Sequence, residues 1–177
     1  MTRRKARQPV AEVAILPLKQ EHVTPEYVAW LNDPDVVRFT EARFQSHTLE
    51  STMAYVRAVD ASPRDELFRI LVDGAHVGNI KLTGIDRHHR RSSIGILIGR
   101  RDFWGRGIGP RAVDLITQHA FGSLALHKLV AGIYADHERS RKTFEKAGFR
   151  IEAVLKDHRR VENRFVDEML LARLNTT

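Results

Sequence analysis

Three glycines in five residues form the stretch of this sequence that is best suited to hold a ligand. They lie in Trp104-Gly105-Arg106-Gly107-Ile108-Gly109, between an apolar run over Ile94–Ile98 and a segment of helical spacing that follows Pro110. Residues without Cβ atoms let a large group approach successive backbone N–H donors, and a helix N-terminus adds partial positive charge. Because Arg106 adds a formal charge, the stretch favours a phosphate or pyrophosphate site.

The flanks of this loop predict a strand followed by a helix. The apolar run Ile94–Ile98 is typical of a buried strand. Gly109 as the N-cap and Pro110 at the first helical position predict the helix start, because proline lacks the N–H that would be orphaned there. The apolar positions of the predicted helix are Val113, Ile116, Ala120 and Phe121.

Two other interpretations of the glycines remain open. Glycine-rich turns before helices often serve only as connectors. The spacing Gly107-x-Gly109-x-x-Ala112, with Asp136 further along, also fits a dinucleotide-binding fingerprint. That fingerprint needs its first glycine directly after the strand, whereas residues 100–104 intervene here. We therefore rank a nicotinamide or flavin site below a phosphate site of another kind.

A second motif block and the glycine loop together resemble one family. The block is Asp136–Phe149, DHERSRKTFEKAGF, and it is similar to the Asn-x-x-Ser…Tyr-Glu-Lys-x-Gly-Phe block of the GNAT N-acyltransferases. Gly107-Ile108-Gly109 matches the same family's Gly-x-(Gly/Ala) at a helix start. Trp104 replaces the family's Gln or Arg, as is common in its branch of ribosomal-protein and polyamine acetyltransferases. The resemblance covers roughly Glu12–Leu174.

The resemblance implies an acetyl-CoA co-substrate, no metal, and a set of site residues. In the family, backbone amides of the loop hold the pyrophosphate, and a backbone N–H of the preceding strand stabilises the tetrahedral oxyanion, a duty that falls near Ile98 here. We assign catalysis to Ile98 and Glu41. The residues that the resemblance assigns to coenzyme A are Ile96, Leu97, Ile98, Trp104, Gly105, Arg106, Gly107, Ile108, Gly109, His137, Ser140 and Phe144.

The sequence departs from the family at the positions of its usual acid and base. Phe144 replaces the tyrosine of Tyr-Glu-Lys, His137 replaces the asparagine, and Ser93 replaces a frequent acidic residue. Phe144 therefore either packs beside the pantetheine arm or belongs to the core. We expect desolvation and positioning to carry most of the catalysis, with Glu41 or a histidine assisting through water. Asp167 and Glu168 are rival carboxylates in a late strand.

The remaining elements follow from periodicity, caps and turns. Thr24 and Pro25 start a helix that Asn32-Asp33-Pro34 ends, whereas Val36–Phe44 reads as irregular. The other predicted elements are a strand over Val13–Leu18, a helix over Thr48–Ala61, a hairpin of Leu67–Val72 and Val77–Ile85 around Asp73-Gly74, a strand over Leu129–Tyr134 parallel to the central strand, a helix over Asp136–Ala147 ended by Gly148, and strands over Phe149–Leu155 and Phe165–Leu174 with a bend at Arg159–Arg164.

These elements predict an α/β (α+β) fold of the GNAT type. The sheet is mixed and twisted, with about seven strands and about four helices packed on both faces. We expect a basic, flexible N-terminal arm over residues 1–11 and a single acyltransferase domain over residues 12–177.

Composition bounds the class of protein. The chain has 177 residues, 42% hydrophobic content, a formal charge of +7 and no cysteine, so thiolate metal sites and cysteine nucleophiles are excluded. It lacks a membrane-length apolar run and a signal-peptide pattern, which agrees with a cytoplasmic location. His88 and His89 are flanked by arginines, and neighbouring histidines rarely converge on one metal, so we interpret them as a solvated basic loop.

The predicted function is transfer of an acetyl group from acetyl-CoA to a primary amine by direct attack in a ternary complex. An amino sugar is favoured as the acceptor, because the phrasing around residues 24–44 is similar to members that acylate amino sugars. A protein N-terminus, a polyamine and an antibiotic amine stay open, as does a homodimer. The alternatives are a non-catalytic acyl-CoA-binding module and, with less support, a basic ribosome- or RNA-associated protein.

Overall fold

A computed structural model describes residues 12–176, and the predicted basic arm over residues 1–11 lies outside them. Within this range the chain forms one seven-stranded mixed sheet and five α-helices. The strands are β1 Val13–Pro17, β2 Glu66–Val72, β3 Ala75–Asp86, β4 Arg91–Ile98, β5 Lys128–Tyr134, β6 Arg150–Val161 and β7 Arg164–Leu174. The helices are α1 Pro25–Leu31, α2 Pro34–Val37, α3 Leu49–Asp60, α4 Ile108–Gly122 and α5 Glu138–Lys146, with 3-10 turns at Gln20–His22, Glu41–Phe44 and Arg101–Phe103.

The order of the strands is β1-β2-β3-β4-β5-β7-β6, and β4 and β5 are its parallel neighbours. Their pairing spans only three positions, from Arg91 opposite Lys128 to Ser93 opposite Val130. Beyond Ser93 the two strands no longer pair, although β4 continues to Ile98 and β5 to Tyr134. We call the space between residues 94–98 and residues 131–134 the β4–β5 opening.

Helices cover both faces of the sheet, as predicted. Successive strand side chains point to opposite faces, so Leu67 packs with α1 and α3 while Phe68 joins the larger cluster under α4. The larger cluster contains the fully buried Ile70, Ile80, Leu82, Val113, Ile116, Leu129 and Leu171. The smaller cluster contains Leu18, Tyr27, Trp30, Val36, Val56 and Leu67.

Several local predictions are confirmed by cap and turn geometry. The Thr24 hydroxyl accepts a hydrogen bond of 3.2 Å from the Tyr27 N–H, and Thr48 forms a capping box with Ser51. Asp73 and Gly74 have φ values of 48° and 82°, the left-handed conformation that a two-residue hairpin turn requires.

The start of α4 differs from the prediction. The N-cap is Gly107, with a φ of 79°, and the helix begins at Ile108, so Pro110 is its third residue. Proline fits there because the N–H groups of a first turn lack intrahelical partners anyway. Gly109 instead permits a close helix contact, since a Cβ on it would lie 3.0 Å from the Thr143 methyl of α5.

Two further boundaries were predicted wrongly. β6 runs to Val161, and the chain reverses at the two residues that follow it instead of along Arg159–Arg164. Asp157, with a φ of 48°, lies in a register shift between Leu155 and Arg159, and this bulge lets the strand continue. The segment predicted as irregular, Val36–Phe44, contains the end of the short helix α2 and the turn Glu41–Phe44. Among residues 12–176 no helix is long and apolar enough to cross a membrane.

Candidate active site

The β4–β5 opening exposes backbone groups of β4. Gly99 N–H donates to the Val77 carbonyl at 2.9 Å, so the odd-numbered residues at the end of β4 bond to β3. By alternation, the backbone groups of Ile96 and Ile98 point into the opening, whereas those of Leu97 face β3. The opening therefore offers strand N–H donors without a sheet partner, at the residues that the sequence assigns to catalysis and cofactor binding.

The glycine loop presents an unbroken row of donors. Among the described residues, the backbone N–H groups at positions 105–109 have no hydrogen-bond acceptor, and the first helical bond runs from Arg111 to Gly107 at 3.4 Å. Gly105 and Gly107 hold φ values of 76° and 79°, which L-residues with side chains rarely adopt. Five consecutive donors at the N-terminus of a 15-residue helix form an anion-binding concavity.

Trp104 ties this loop to β4. Its indole N–H donates to the Ile98 carbonyl at 2.8 Å, which leaves the Ile98 N–H as the free group of that residue. The Arg139 guanidinium, from the first turn of α5, lies 4.6 Å from the Trp104 ring centroid. Trp104 thus connects the loop, the end of β4 and the start of α5 around one side of the opening.

The start of α5 forms the other side of the opening. His137 is the N-cap residue, its N–H donates to the Tyr134 carbonyl at 2.8 Å, and its ring stacks on Phe39 at 4.4 Å. Burial, together with the charge of Arg139, lowers the pKa of His137 to about 4, so the imidazole is neutral at pH 7. Ser140, one turn further on, is half-buried.

Phe144 lies in the core. It is 2% exposed and packs against Phe149 at 5.2 Å in an edge-to-face arrangement. Of the two roles that the sequence left open for it, the structure supports the core role, and contact with a cofactor stays a prediction.

Tyr134, at the end of β5, carries a hydrogen-bonded polar cluster beside the opening. Its hydroxyl donates to Glu41 Oε1 at 3.1 Å and accepts from Arg43 Nη2 at 3.2 Å. Burial, and then the neighbouring Glu41 charge, raises the pKa of Tyr134, so the phenol is protonated at neutral pH. Arg159 Nη1 donates to the same Glu41 oxygen at 3.1 Å.

Glu168 extends this cluster beneath β5. It is 4% exposed and accepts a hydrogen bond of 2.7 Å from Arg159 Nη2, with His158 Nε2 at 3.3 Å. A Cβ on Gly132 would lie 2.4 Å from Glu168 Oε1, so glycine is required there for the carboxylate to approach β5. Asp167, its neighbour and fellow rival, is instead paired with Lys156 at 2.7 Å on the surface.

The structure thus assembles most of the predicted residues around one opening and adds three that sequence reasoning missed. These are Tyr134, Arg43 and Arg159. Tyr134 could have been predicted from the sequence, because it ends a strand predicted to be parallel to the central strand, and the carboxyl ends of parallel strands meet at one sheet edge. Arg43 could also have been predicted, because it lies in the Val36–Phe44 segment that the family resemblance places at the acceptor pocket. Arg159 had no such signal, since its contact with Glu41 spans 118 residues of chain. No group of three or more potential metal ligands occurs within residues 12–176, and His88 and His89 lie in the turn after β3.

A parallel strand pair that opens beside a glycine loop with free N–H donors is the arrangement that the resemblance to acyltransferases implies for a coenzyme A site. The family model described as the acetyltransferase (GNAT) domain matches residues 13–150. The chain therefore belongs to the GNAT acetyltransferase family, and the predicted family, fold and enzyme class are confirmed.

Among curated proteins, the chain is similar to spermidine N(1)-acetyltransferase of Escherichia coli. The identity is 29% over 145 residues, which cover 81% of this chain and 75% of that protein. It also matches the uncharacterized N-acetyltransferase p20 of Bacillus licheniformis at 28% identity, over 55% of this chain and about half (54%) of that protein.

Solved structures agree on the fold. Spermidine N-acetyltransferase from Vibrio cholerae, in complex with CoA and spermine, superposes with a TM-score of 0.82 at 16% identity, covering 92% of this chain and 95% of that one. Mycobacterium smegmatis RimJ, in complex with CoA-disulfide, gives a TM-score of 0.82 at 21% identity, covering 94% and 83%. The coenzyme A in these complexes agrees with the predicted co-substrate.

Proposed function

We propose that this protein transfers an acetyl group from acetyl-CoA to a primary amine by direct attack in a ternary complex. The acceptor amine belongs to a small molecule, with an amino sugar favoured, or to a protein N-terminus. The observation that carries the proposal is the continuity of free donors, from the N–H groups at positions 105–109 to those of Ile96 and Ile98 in the opening.

The donor side uses the loop for the pyrophosphate and the opening for the pantetheine arm and thioester. Arg106 is exposed beside the loop and adds positive charge to the row of N–H groups. Trp104 fixes the loop against β4, and Ser140 and the neutral His137 flank the path on α5. Because β4 pairs with β3 along its other edge, its donors are held rigidly.

The Ile98 N–H is the group we assign to the oxyanion. Attack of a neutral amine on the thioester carbonyl places negative charge on the carbonyl oxygen, and a preorganised donor stabilises that charge more than it stabilises the ground state. The Ile98 carbonyl is already engaged by Trp104. Only the donor of this residue therefore faces the reacting group.

The Tyr134–Glu41 pair is the route that we assign to the departing amine proton. An attacking amine must lose a proton, and most primary amines are protonated at pH 7. The Tyr134 hydroxyl passes a hydrogen bond to Glu41, whose carboxylate is two-thirds exposed and in contact with water. A water between the amine and this pair completes the path. The thiolate, with a pKa near 8.5 in free thiols, leaves without a side-chain acid.

The test is release of free CoA thiol from acetyl-CoA against a panel of amines. The panel contains amino sugars, nucleotide-linked amino sugars, N-terminal peptides, spermidine and aminoglycosides. Turnover on one class identifies the reaction and the acceptor together. If no amine of the panel causes release of CoA thiol while acetyl-CoA still raises the melting temperature, the proposed catalysis is overturned in favour of a binding module. If no thiol is released and acetyl-CoA does not change the melting temperature, the coenzyme A site itself is overturned.

A further inference from the structure

A second cleft adjoins the acceptor end of the opening. Its volume is about 350 Å³, and it lies between the α1–α2 region, the Glu41–Phe44 turn and the tip of the β6–β7 hairpin. Arg43 forms its boundary with the site already described, because the same guanidinium lines the cleft and donates to the Tyr134 hydroxyl. Arg43 thus links the cleft to the Tyr134 hydroxyl, which is 3.2 Å from its Nη2.

Two arginines in this cleft have no acidic partner among the described residues. Arg38 is exposed, and its guanidinium carbon lies 5.3 Å from the centroid of the Phe39 ring. Arg43 donates to the carbonyls of Arg38 and Arg160 and to the Tyr134 hydroxyl. A guanidinium has five N–H donors, so two of those on Arg43 remain available.

Aromatic rings hold the Arg43 guanidinium in place. Its carbon lies 4.6 Å from the Phe44 centroid and 5.1 Å from the Tyr134 centroid. A planar cation fixed between rings, with its charge uncompensated by a carboxylate, is preorganised to bind an anion.

Each carboxylate around this end except Glu162 contacts an arginine, although two pairs of carboxylates share one arginine each. Glu41 and Glu168 share Arg159, and Asp136 is paired with Arg164. Asp33 and Asp35, beside the cleft, both pair with Arg101. Glu162 also lines the cleft and has no cationic partner among the described residues, so the lining carries two positive charges against one negative charge. A polycation finds one free carboxylate there, whereas a phosphate finds two free guanidinium groups.

We infer that the acceptor carries a phosphate group, and that Arg38 and Arg43 bind this phosphate while the amine lies at Tyr134. This inference rests on the proposed acetyl transfer and narrows its acceptor to phosphorylated amines, either a sugar monophosphate or a nucleoside diphosphate ester. The two arginines fix the orientation of the acceptor relative to the opening, and they discriminate against polyamines.

The test compares matched acceptors on the protein saturated with CoA, so that the glycine loop is filled and cannot bind the added phosphate. Glucosamine, glucosamine 1-phosphate, UDP-glucosamine and spermidine are titrated by calorimetry, and each is assayed with acetyl-CoA for turnover. We expect the phosphorylated forms to bind at least about tenfold more tightly than glucosamine, the order of one charge-assisted pair. The monophosphate and the diphosphate ester distinguish the two sources of phosphate.

Substitutions of single arginines show which residue causes the preference for phosphorylated acceptors. Arg38→Gln should remove most of the preference for phosphate without changing the affinity for glucosamine, because it keeps the Arg38 carbonyl that Arg43 bonds and alters only the exposed guanidinium. Arg87→Gln, in the exposed turn after β3, is the matched control and should change nothing. Equal binding of glucosamine and its phosphates, or an unchanged preference in Arg38→Gln, would overturn the inference.

The failure of this inference is separable from failure of the proposed function. Turnover of spermidine or an unphosphorylated amine with no phosphate preference contradicts the inference alone. Phosphate-dependent binding without turnover of any amine contradicts acetyl transfer, while the anion site stands.

Discussion

Substitutions of Tyr134 and Glu41 test the proposed proton transfer most directly. Tyr134→Phe removes the hydroxyl that bonds Glu41 and Arg43 but leaves the ring that packs against Phe39. If this pair conducts the amine proton, kcat should fall by about 100-fold, the low end of general acid–base contributions. Glu41→Gln keeps an oxygen for Tyr134 and Arg159 but removes the charge, so it should shift the pH–rate profile as well.

Tyr55→Phe is the matched control, because Tyr55 is exposed on α3 and contacts Lys81. Its kinetics should equal those of the parent protein. Turnover and a pH–rate profile that remain unchanged in both Tyr134→Phe and Glu41→Gln would remove the pair from the mechanism.

A substitution of Gly107 tests whether the backbone conformation of the glycine loop is needed to bind acetyl-CoA. Its φ of 79° is disfavoured for alanine, although a Cβ there would meet nothing within 4 Å. Gly107→Ala should therefore cost about 1–2 kcal/mol of stability through strain alone and raise KM for acetyl-CoA, with kcat little affected. Gly122→Ala at the end of α4 is the control, since it has open space and no positive φ. A KM for acetyl-CoA that stays at the parent value in Gly107→Ala would contradict the role of the loop.

At the scale of elements, the close approach of α4 to α5 is the packing feature that bears on the proposed cofactor site. A Cβ on Gly109 would lie 3.0 Å from Thr143 Cγ2 and 3.4 Å from its hydroxyl, but 3.8 Å from its Cβ. Gly109→Ala should therefore destabilise the protein by about 1 kcal/mol or more by overpacking. Adding Thr143→Ala should relieve most of that cost, because only an ordinary contact would remain.

A double-mutant cycle in urea measures this coupling. The expected interaction energy is favourable, and KM for acetyl-CoA should rise in the single Gly109 variant and recover in the double variant. Strictly additive effects on stability would show that α4 and α5 are not in contact at this pair.

The elements were also the level at which sequence reasoning was most reliable. Helix caps and tight turns depend on neighbours within three residues, so their geometry can be predicted from the local sequence. Examples are the caps Thr24 and Thr48 and the turn at Asp73-Gly74. The start of α4 was misassigned because glycines at 107 and 109 are equally permissive locally. Only the distant Thr143 distinguishes a close packing position from a cap.

At the scale of the whole molecule, the site depended on contacts that local patterns do not encode. The Glu41 contacts with Tyr134 and Arg159 span 93 and 118 residues of chain. The coenzyme A residues were predicted from the strand, the loop and the family block, because each of these features is a continuous stretch of sequence. The acceptor end is assembled from three separate segments. Glu41 was predicted from the sequence, whereas its contacts with Tyr134 and Arg159 emerged only from the fold.

Acid sensitivity is the property of the whole molecule that the buried histidines predict. Burial, with Arg139, lowers the pKa of His137 to about 4, and burial beside Tyr27 and Trp30 lowers that of His76. The unfolded histidines titrate near 6.5, so between these values the unfolded chain binds more protons than the folded one. The contribution of these histidines to stability is therefore fully present above about pH 6.5 and is lost as the pH drops toward 4.

Because the pKa of His137 falls from its ordinary value of 6.5 to about 4, this residue contributes at most roughly 3–4 kcal/mol to the pH dependence of stability. Urea unfolding at pH 7.5 and pH 4.5 gives the loss of unfolding free energy over this interval for each protein. The loss in a variant is compared with the loss in the parent protein, because carboxylates titrate in the same range in both. His137→Asn should lose less stability over this interval than the parent protein, since its side chain takes up no proton. His88→Asn, in the exposed turn after β3, should lose as much as the parent. An equal loss in His137→Asn and the parent would mean that the imidazole is not held neutral by burial, and would reopen it as a group that is charged near the thioester.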